Sequence, residues 1–458
     1  MAMATSNAIV PIFLPPKPVP VKNVLLAGML FCNLLFYTIV RDMKDVLLVT
    51  SCGAEAIPFM KTWVNFPMSV GFLCIFNTLC NNGCSPRNVY RIMYGSIAVM
   101  YCFVGGVLFP NRLGIQPHLA NDFIGATIAN NWVSSLYYAL SSVWGSIVIS
   151  LLFWMTATRY TPANEAKTLY PLFGFVGNIA LIAAGYIVKA SASHAASFDQ
   201  NMVILMSVAF GFASLNVVLF EVLTSKFPVI NASSNLNQKA SSTTPLQGVV
   251  EMARNPFIRN MVIIISCYGS TVAMYETVWK YYMNVHFVDP SRYAAFMGTV
   301  STVKGVTTMG MMLASSYIFN KLPLIHALAI TPVTISVLGC TLFYAINVNA
   351  PPLTIVYLGA AVGVLAKSLK YSFFDPNKEI SYMYVSKETR TKGKATIDVL
   401  SNPLGKSGSS MALQSMFTVF GSLAQAIPCI TIFYTTICII WLNSIRSIND
   451  TFTSSDPS

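Results

Sequence analysis

The stretch KGKATIDVLSNPLGKSGSS, Lys392–Ser410, holds GKS, the closing residues of the phosphate-cradling loop G-x-x-x-x-G-K-[ST]. That loop needs a glycine where Leu400 stands, a strand ahead of it and an acidic magnesium ligand elsewhere, and the sequence supplies none of them. Nucleotide hydrolysis is therefore excluded as the chemistry of this segment. What survives is a set of cations. Lys406 stands inside a largely apolar stretch. Lys394 and Asp398 are spaced i,i+4 at the start of the same expected helix. An ammonium there, beside free backbone N–H groups, suits a phosphate oxygen.

Three more clusters carry charge where apolar residues surround it, and a fourth lies just upstream of Lys392. RDMKDVLLVT places Arg41, Asp42, Lys44 and Asp45 before renewed apolar residues. Arg41 and Asp45 can share a helix face, and Lys44 is expected to project into a central cavity. TPANEAKTLYPLFGFVGN holds Glu165 and Lys167 in an expected loop. Asn178 follows deeper, beside Gly174 and Gly177, where small residues let helices approach, and is expected to face a lumen. YETVWKYYMN sets Glu276 and Lys280 at i,i+4 in the favourable order for a helix pair. Its Trp279, Tyr281 and Tyr282 read as an interfacial aromatic belt. KSLKYSFFDPNKE carries Lys367, Lys370, Tyr371 and Lys378 with Asp375 and Glu379. An ionisable group at the centre of a spanning helix costs about 2.5–3.5 kcal/mol on insertion scales, so a chain keeps one for a polar pathway or an internal pair.

The elements that hold these residues are membrane helices. Of 458 residues, 55% are hydrophobic and 10% charged, and the mean hydropathy is +0.61. A soluble domain carries roughly 25% charged residues. Spans of about 20 apolar residues fall near 24–40, 56–80, 92–110, 132–158, 168–188, 201–223, 257–283, 293–319, 323–346, 351–369, 398–423 and 426–445. The chain thus reads as an all-α membrane protein with about twelve transmembrane helices. The second and eleventh spans are the least apolar, carrying Lys61 and Lys406. Lys and Arg concentrate in alternate loops, which predicts both termini in the cytoplasm.

SKFPVINASSNLNQKASSTTPLQG, Ser225–Gly248, reads as a flexible connector. The predicted organisation is a cytoplasmic tail at 1–23, a six-helix half at 24–224, a linker at 225–255, a second half at 256–445 and a tail at 446–458. TPANEAK after the fourth span and DPNKE after the tenth echo one another at equivalent places. Two six-helix halves joined by a linker form the major-facilitator-like plan. The net charge of +12 then belongs in cytoplasmic loops or lines a cavity for an anion. The ten cysteines show no paired metal-ligand spacing, and the four histidines are scattered, so no metal site, cofactor or enzymatic centre is expected. The proline-rich N-terminus lacks the features of a secretory signal and is short for a plastid transit peptide.

The sequence resembles the nucleotide transporters (ATP/ADP translocases) of plastids and obligate intracellular parasites. The resemblance rests on RDMKDVLLVT with GAEAIPFMKTW, NEAKTLYPLFGFVGNIALI, YGSTVAMYETVWK, YAAFMGTVSTVKG, and KYSFFDPNKEISYMYV followed by KGKATIDVLSNPLGKSGSS, in family order over about residues 24–445. It implies twelve spans, a major-facilitator-like fold and exchange of ATP for ADP with phosphate. The alternative within the family is a proton-coupled importer of broader NTP, or NAD, specificity. The implied setting is the cell (inner) membrane of an intracellular parasite or bacterium. ATP and ADP are the implied partners beside the bilayer, with no nucleic acid and a monomeric working unit.

The family's charged positions fall on Lys44, Glu165, Glu276 and Lys394. The tails are short, and KATIDVLSNPLGKSGSS departs from a more usual KAAIDV…LGKSGGS, which leaves the nucleotide open. The expected site has Lys44, Lys280, Lys370, Lys394 and Lys406 on the phosphates. Asn178 with Phe173 or Tyr371 takes the base, and Glu165, Glu276 and Asp398 serve gating or coupling.

Overall fold

The computed structural model describes residues 20–119, 123–229, 256–319, 321–381 and 387–453, with the side chains of 387–400 and a few other helix positions outside that description. The expected tail at 1–23 and linker at 225–255 lie mostly outside the described residues, as do residues 454–458. Twelve long helices follow in chain order. They are α1 Val21–Cys52, α2 Ala56–Asn81, α3 Pro86–Leu108, α4 Trp132–Tyr160, α5 Ala163–His194, α6 Phe198–Lys226, α7 Pro256–His286, α8 Pro290–Phe319, α9 Leu324–Asn347, α10 Pro352–Ser381, α11 Lys387–Phe420 and α12 Leu423–Thr453. Ten of them are long and apolar enough to cross a bilayer. α8 and α11 match them in length, at 30 and 34 residues, but carry lysines and many small polar residues. About twelve spans were expected; ten meet the criterion of length and composition.

Helices α1–α6 pack mainly on one another, and α7–α12 do the same. Successive helices run in opposite directions, so α6 ends and α7 begins on one side of the bundle, here called the linker side. The bonds that cross between the two sets cluster on the far side. Asp45 of α1 meets Lys280 of α7 at 2.9 Å. Ser301 of α8 accepts from Arg41 Nη2 at 3.2 Å and donates to Asp42 Oδ2 at 2.5 Å. Gln414 of α11 accepts from Trp63 Nε1 and donates to Thr62 Oγ1, both at 3.0 Å.

The closest approach is between α5 and α8. A Cβ built on Gly185 would stand 2.5 Å from the Gly298 carbonyl oxygen, and one on Gly298 would stand 2.6 Å from that of Gly185. Gly305 meets the Asn178 carbonyl oxygen in the same way, at 3.1 Å. These neighbours are backbone and cannot rotate aside. Small residues at such crossings let dispersion act at short range where no hydrophobic force separates helix from lipid. Overpacking of this kind costs about 1–3 kcal/mol. Gly298→Ala is therefore expected to lower the melting temperature of the chain in detergent without loss of membrane insertion; an unchanged melting temperature would remove the claim that this seam must close.

Two boundaries and one side-chain environment differ from the sequence reading. α1 does not end at its charges but runs on to Cys52. Asp42 and Asp45 are buried, at 1% and 5% exposure, so the charges face protein and cavity and the helix has no reason to stop. α5 begins at Ala163, which puts Glu165 in its first turn rather than in a loop. A carboxylate is favoured there by the helix dipole, and it holds Lys22 Nζ of α1 at 3.0 Å. Trp279 is no part of an aromatic belt. It is 1% exposed, packs in the notch left by Gly359 and donates Nε1–H to the Val356 carbonyl at 2.9 Å.

Candidate functional site: a cationic cavity between the two helix sets

A cavity of about 720 Å³ lies between α1–α6 and α7–α12. Eight cations line it: Arg41, Lys44 and Lys61 from the first set, and Lys280, Lys304, Lys367, Lys370 and Lys406 from the second. Three carboxylates, Asp42, Asp45 and Glu276, face them, leaving a surplus of five positive charges.

Helix irregularities aim several of these groups. Lys61 lies on a π turn, Met60–Asn65, and Lys370 with Tyr371 on another, Lys370–Phe374. A π turn inserts one residue and rotates the side chains after it, and such bulges recur at functional sites. Lys406 is aimed by its neighbour. A Cβ on Gly405 would lie 2.2 Å from the Ser266 carbonyl oxygen, so glycine alone lets α11 lie this close to α7. Ser270 Oγ donates to the Gly405 carbonyl at 2.8 Å and Ser266 Oγ to that of Ser401 at 2.9 Å. The GKS residues thus form a helix contact with a lysine beside it. Gly408 has open space around it and is not needed for that contact.

The cations are unequally employed. Arg41 is held by Asp42 at 2.9 Å and Lys370 by Asp375 at 2.5 Å. Lys280 is buried and bound to Asp45 at 2.9 Å, while Glu276, its i,i+4 partner, stands at 4.0 Å. The anticipated Arg41–Asp45 face is thus divided between two other partners. Lys44, Lys61, Lys304, Lys367 and Lys406 form no salt bridge among the described residues. Lys44 Nζ sits 4.3 Å above the Tyr138 ring and Lys304 Nζ 6.0 Å from that of Trp279. Neither ring neutralises a charge.

The cavity has an apolar aromatic wall toward the linker side. Trp154 of α4 meets Tyr170 of α5 edge-on at 5.0 Å, and Tyr170 stacks with Phe173 at 5.9 Å. Asn178 stands near this wall. Its Nδ2 donates to the Gly174 carbonyl at 3.0 Å and approaches Met312 Sδ at 3.4 Å. Its Oδ1 accepts no hydrogen bond among the described residues and is left as an acceptor at the cavity surface.

Of the residues singled out from the sequence, Lys44, Lys280, Lys370, Lys406, Asn178, Phe173, Tyr371 and Glu276 all line this one cavity. Glu165 does not; it is committed to Lys22. Lys394 and Asp398 lie on the α11 backbone, and their side chains are outside the described residues. Sequence reasoning passed over Arg41, Lys61, Lys304 and Lys367 as site members. Lys304 had a usable signal, since it interrupts the middle of an expected span. Lys367 had been absorbed into a basic cluster at a helix end.

The model of the TLC ATP/ADP transporter family matches residues 4–452. The chain is 35% identical over 464 residues to "ADP,ATP carrier protein 1, chloroplastic" of Arabidopsis thaliana, across 94% of this chain and 74% of the relative. It is 30% identical over 462 residues to "ADP,ATP carrier protein 1" of Chlamydia muridarum, across 93% of this chain and 87% of the relative. Among solved structures, that of the nucleoside transporter NupG superposes with a TM-score of 0.61 at 12% identity, over 95% of this chain and 98% of that one. That likeness establishes a major-facilitator-like fold.

Proposed function

The chain belongs to the TLC ATP/ADP transporter family, and on that premise we propose that it exchanges ATP for ADP, with phosphate, by alternating access through the cavity between its two helix sets. It is an integral membrane protein that crosses the bilayer many times. The reading puts both termini and the linker in the cytoplasm, the far side outside, and the working unit as a monomer.

One observation carries the reading: five lysines without a salt bridge among the described residues share a cavity with an aromatic wall. A nucleotide di- or triphosphate carries about three to four negative charges. To cross about 30 Å of hydrocarbon it needs a lumen that replaces the water around its oxygens. Lys44, Lys61, Lys304, Lys367 and Lys406 supply that charge, with Lys370 sharing its ammonium between substrate and Asp375. Lys394 joins them through the family resemblance, while Asp398 on the same helix is assigned to gating or coupling. Trp154, Tyr170, Phe173 and Tyr371 offer faces for the base. Asn178 Oδ1 is an acceptor for the exocyclic amino group of adenine, where guanine presents an oxygen.

The same charges explain obligatory exchange. Open to water, the lysines are hydrated. Closing an empty cavity strips that hydration at a cost of several kcal/mol per ion, whereas a bound polyanion offsets it. The empty carrier therefore reorients slowly, and the loaded one quickly. Gating falls to groups that change partners: Glu276, 4.0 Å from Lys280, and Glu165, held by Lys22 in this conformer.

Labelled ATP uptake into proteoliposomes tests the reading. Uptake is expected to rise at least tenfold with ADP inside and to be indifferent to an uncoupler. Uptake that needs no internal nucleotide and collapses with the uncoupler would establish proton-driven import instead.

A further inference from the structure

A second cavity, of about 230 Å³, lies at the linker-side end of the first helix set, between α3, α4 and α6. It shares no lining residue with the first. Its walls carry Ser85 and Arg87 from the start of α3, Thr156, Arg159 and Tyr160 from the end of α4, and Thr224 from the end of α6. These three helix ends fall where spans meet water on the linker side.

The arginines here are not fully used. Glu221 of α6 takes Arg91 in a bidentate grip, Nε to Oε1 at 2.5 Å and Nη2 to Oε2 at 2.6 Å, and also bonds Arg87 Nη2. One carboxylate thus serves two guanidinium groups. Arg159 makes no hydrogen bond or salt bridge among the described residues. Tyr160 is only 5% exposed, and its hydroxyl has no hydrogen-bond partner among the described residues of the cavity it lines. A hydroxyl at a cavity wall is completed by whatever ligand or water occupies the cavity. The first turn of α3, capped by Ser85 through the Asn88 amide at 3.3 Å, adds the positive end of its dipole.

We propose that this cavity binds a phosphate group, held by Arg159 and Arg87 with a hydrogen bond from Tyr160. Guanidinium groups match phosphate oxygens in a planar, two-point fashion, and the tyrosine hydroxyl donates where no protein acceptor is available. Two sources offer that chemistry at this level of the bilayer: the phosphodiester of a lipid headgroup and free inorganic phosphate. The site is separate from the transport cavity, so it neither rests on nor decides the nucleotide specificity.

Native mass spectrometry of the purified full chain in neutral detergent tests it, with phosphatidylglycerol against diacylglycerol of equal chain length. A parallel thermal-shift series sets inorganic phosphate against chloride at equal ionic strength. Phosphatidylglycerol is expected to give one retained adduct that diacylglycerol does not. Arg159→Gln weakens it at least tenfold, and Tyr160→Phe, which keeps the packing, weakens it several-fold. If free phosphate is the ligand, it displaces that adduct and stabilises the unsubstituted chain more than either variant. Affinities unchanged in both variants, in both series, would overturn the assignment. Should Arg159→Gln fail to fold, Tyr160→Phe alone decides.

Discussion

Lys280→Ala is expected to lower nucleotide exchange by at least about 100-fold, and Asp45→Asn added to the same chain is expected to recover most of the loss. The two residues form a buried bond between α1 and α7, with side chains 6% and 7% exposed. Removing one partner of a buried pair leaves the other charged and alone, which costs about 3–5 kcal/mol, or roughly 10²–10⁴ in an equilibrium constant. The cost falls on the conformer seen here, in which the far side is drawn together. Replacing Asp45 as well removes the stranded charge, and replacing a buried pair by neutral groups is often nearly neutral. Recovery separates two roles for Lys280. A lysine whose main duty is to hold phosphate would leave the double variant as inactive as the single one. Thiol labelling supplies an independent readout. Cys52 ends α1 on the far side and is buried. Its reactivity toward an impermeant maleimide, in a chain with the other cysteines replaced, should rise in Lys280→Ala and fall back in the double variant.

Lys304→Gln combined with Lys367→Gln is expected to weaken ATP binding by about 10²–10⁴-fold, since a hydrogen bond to a charged group contributes about 1.5–3 kcal/mol. The loss should be graded: largest for ATP, smaller for AMP, and absent for adenosine, which brings no phosphate. The stability of the empty protein should move the other way. Both lysines lie in the membrane interior without a salt bridge among the described residues, so neutralising them removes a desolvation cost and raises the melting temperature. Equal losses for ATP and adenosine, or a lower melting temperature with unchanged affinity, would mean that these lysines hold the fold and not the phosphates.

How much of this was legible in the sequence depends on whether a feature is local. Glu276 and Lys280 are four apart on one helix, so their kinship can be read directly. Asp45 is the nearer partner of Lys280, and nothing in either segment announces it, because the bond joins helices from different halves. Spans rich in Leu, Ile and Phe declared themselves by hydropathy. The first was nonetheless cut short at Arg41, since a charge at a helix end and a charge facing a cavity look alike until burial is known. Lys61 was read as a blemish on a weak span, and Lys367 as part of a basic cluster. For Lys61 a turn of π-helix at the residue changes which way side chains point, and local sequence does not announce such a turn. Lys406 was legible, because a lysine inside a span asks for a special neighbour; Gly405 beside it supplies the close helix contact. Gly408, from the same run, turned out to have none.

The seam between Gly185 and Gly298 carries one more consequence. Side chains at a moving contact must give up rotamers on docking, at up to about 2 kcal/mol each for long ones, and glycine has none to give up. Main chain resting on main chain can therefore part and meet again with almost no entropic toll, and without trapping a side chain in the wrong pose. A pivot of this sort favours speed over holding strength. The task of keeping either mouth shut is thereby left to polar bonds that water can break.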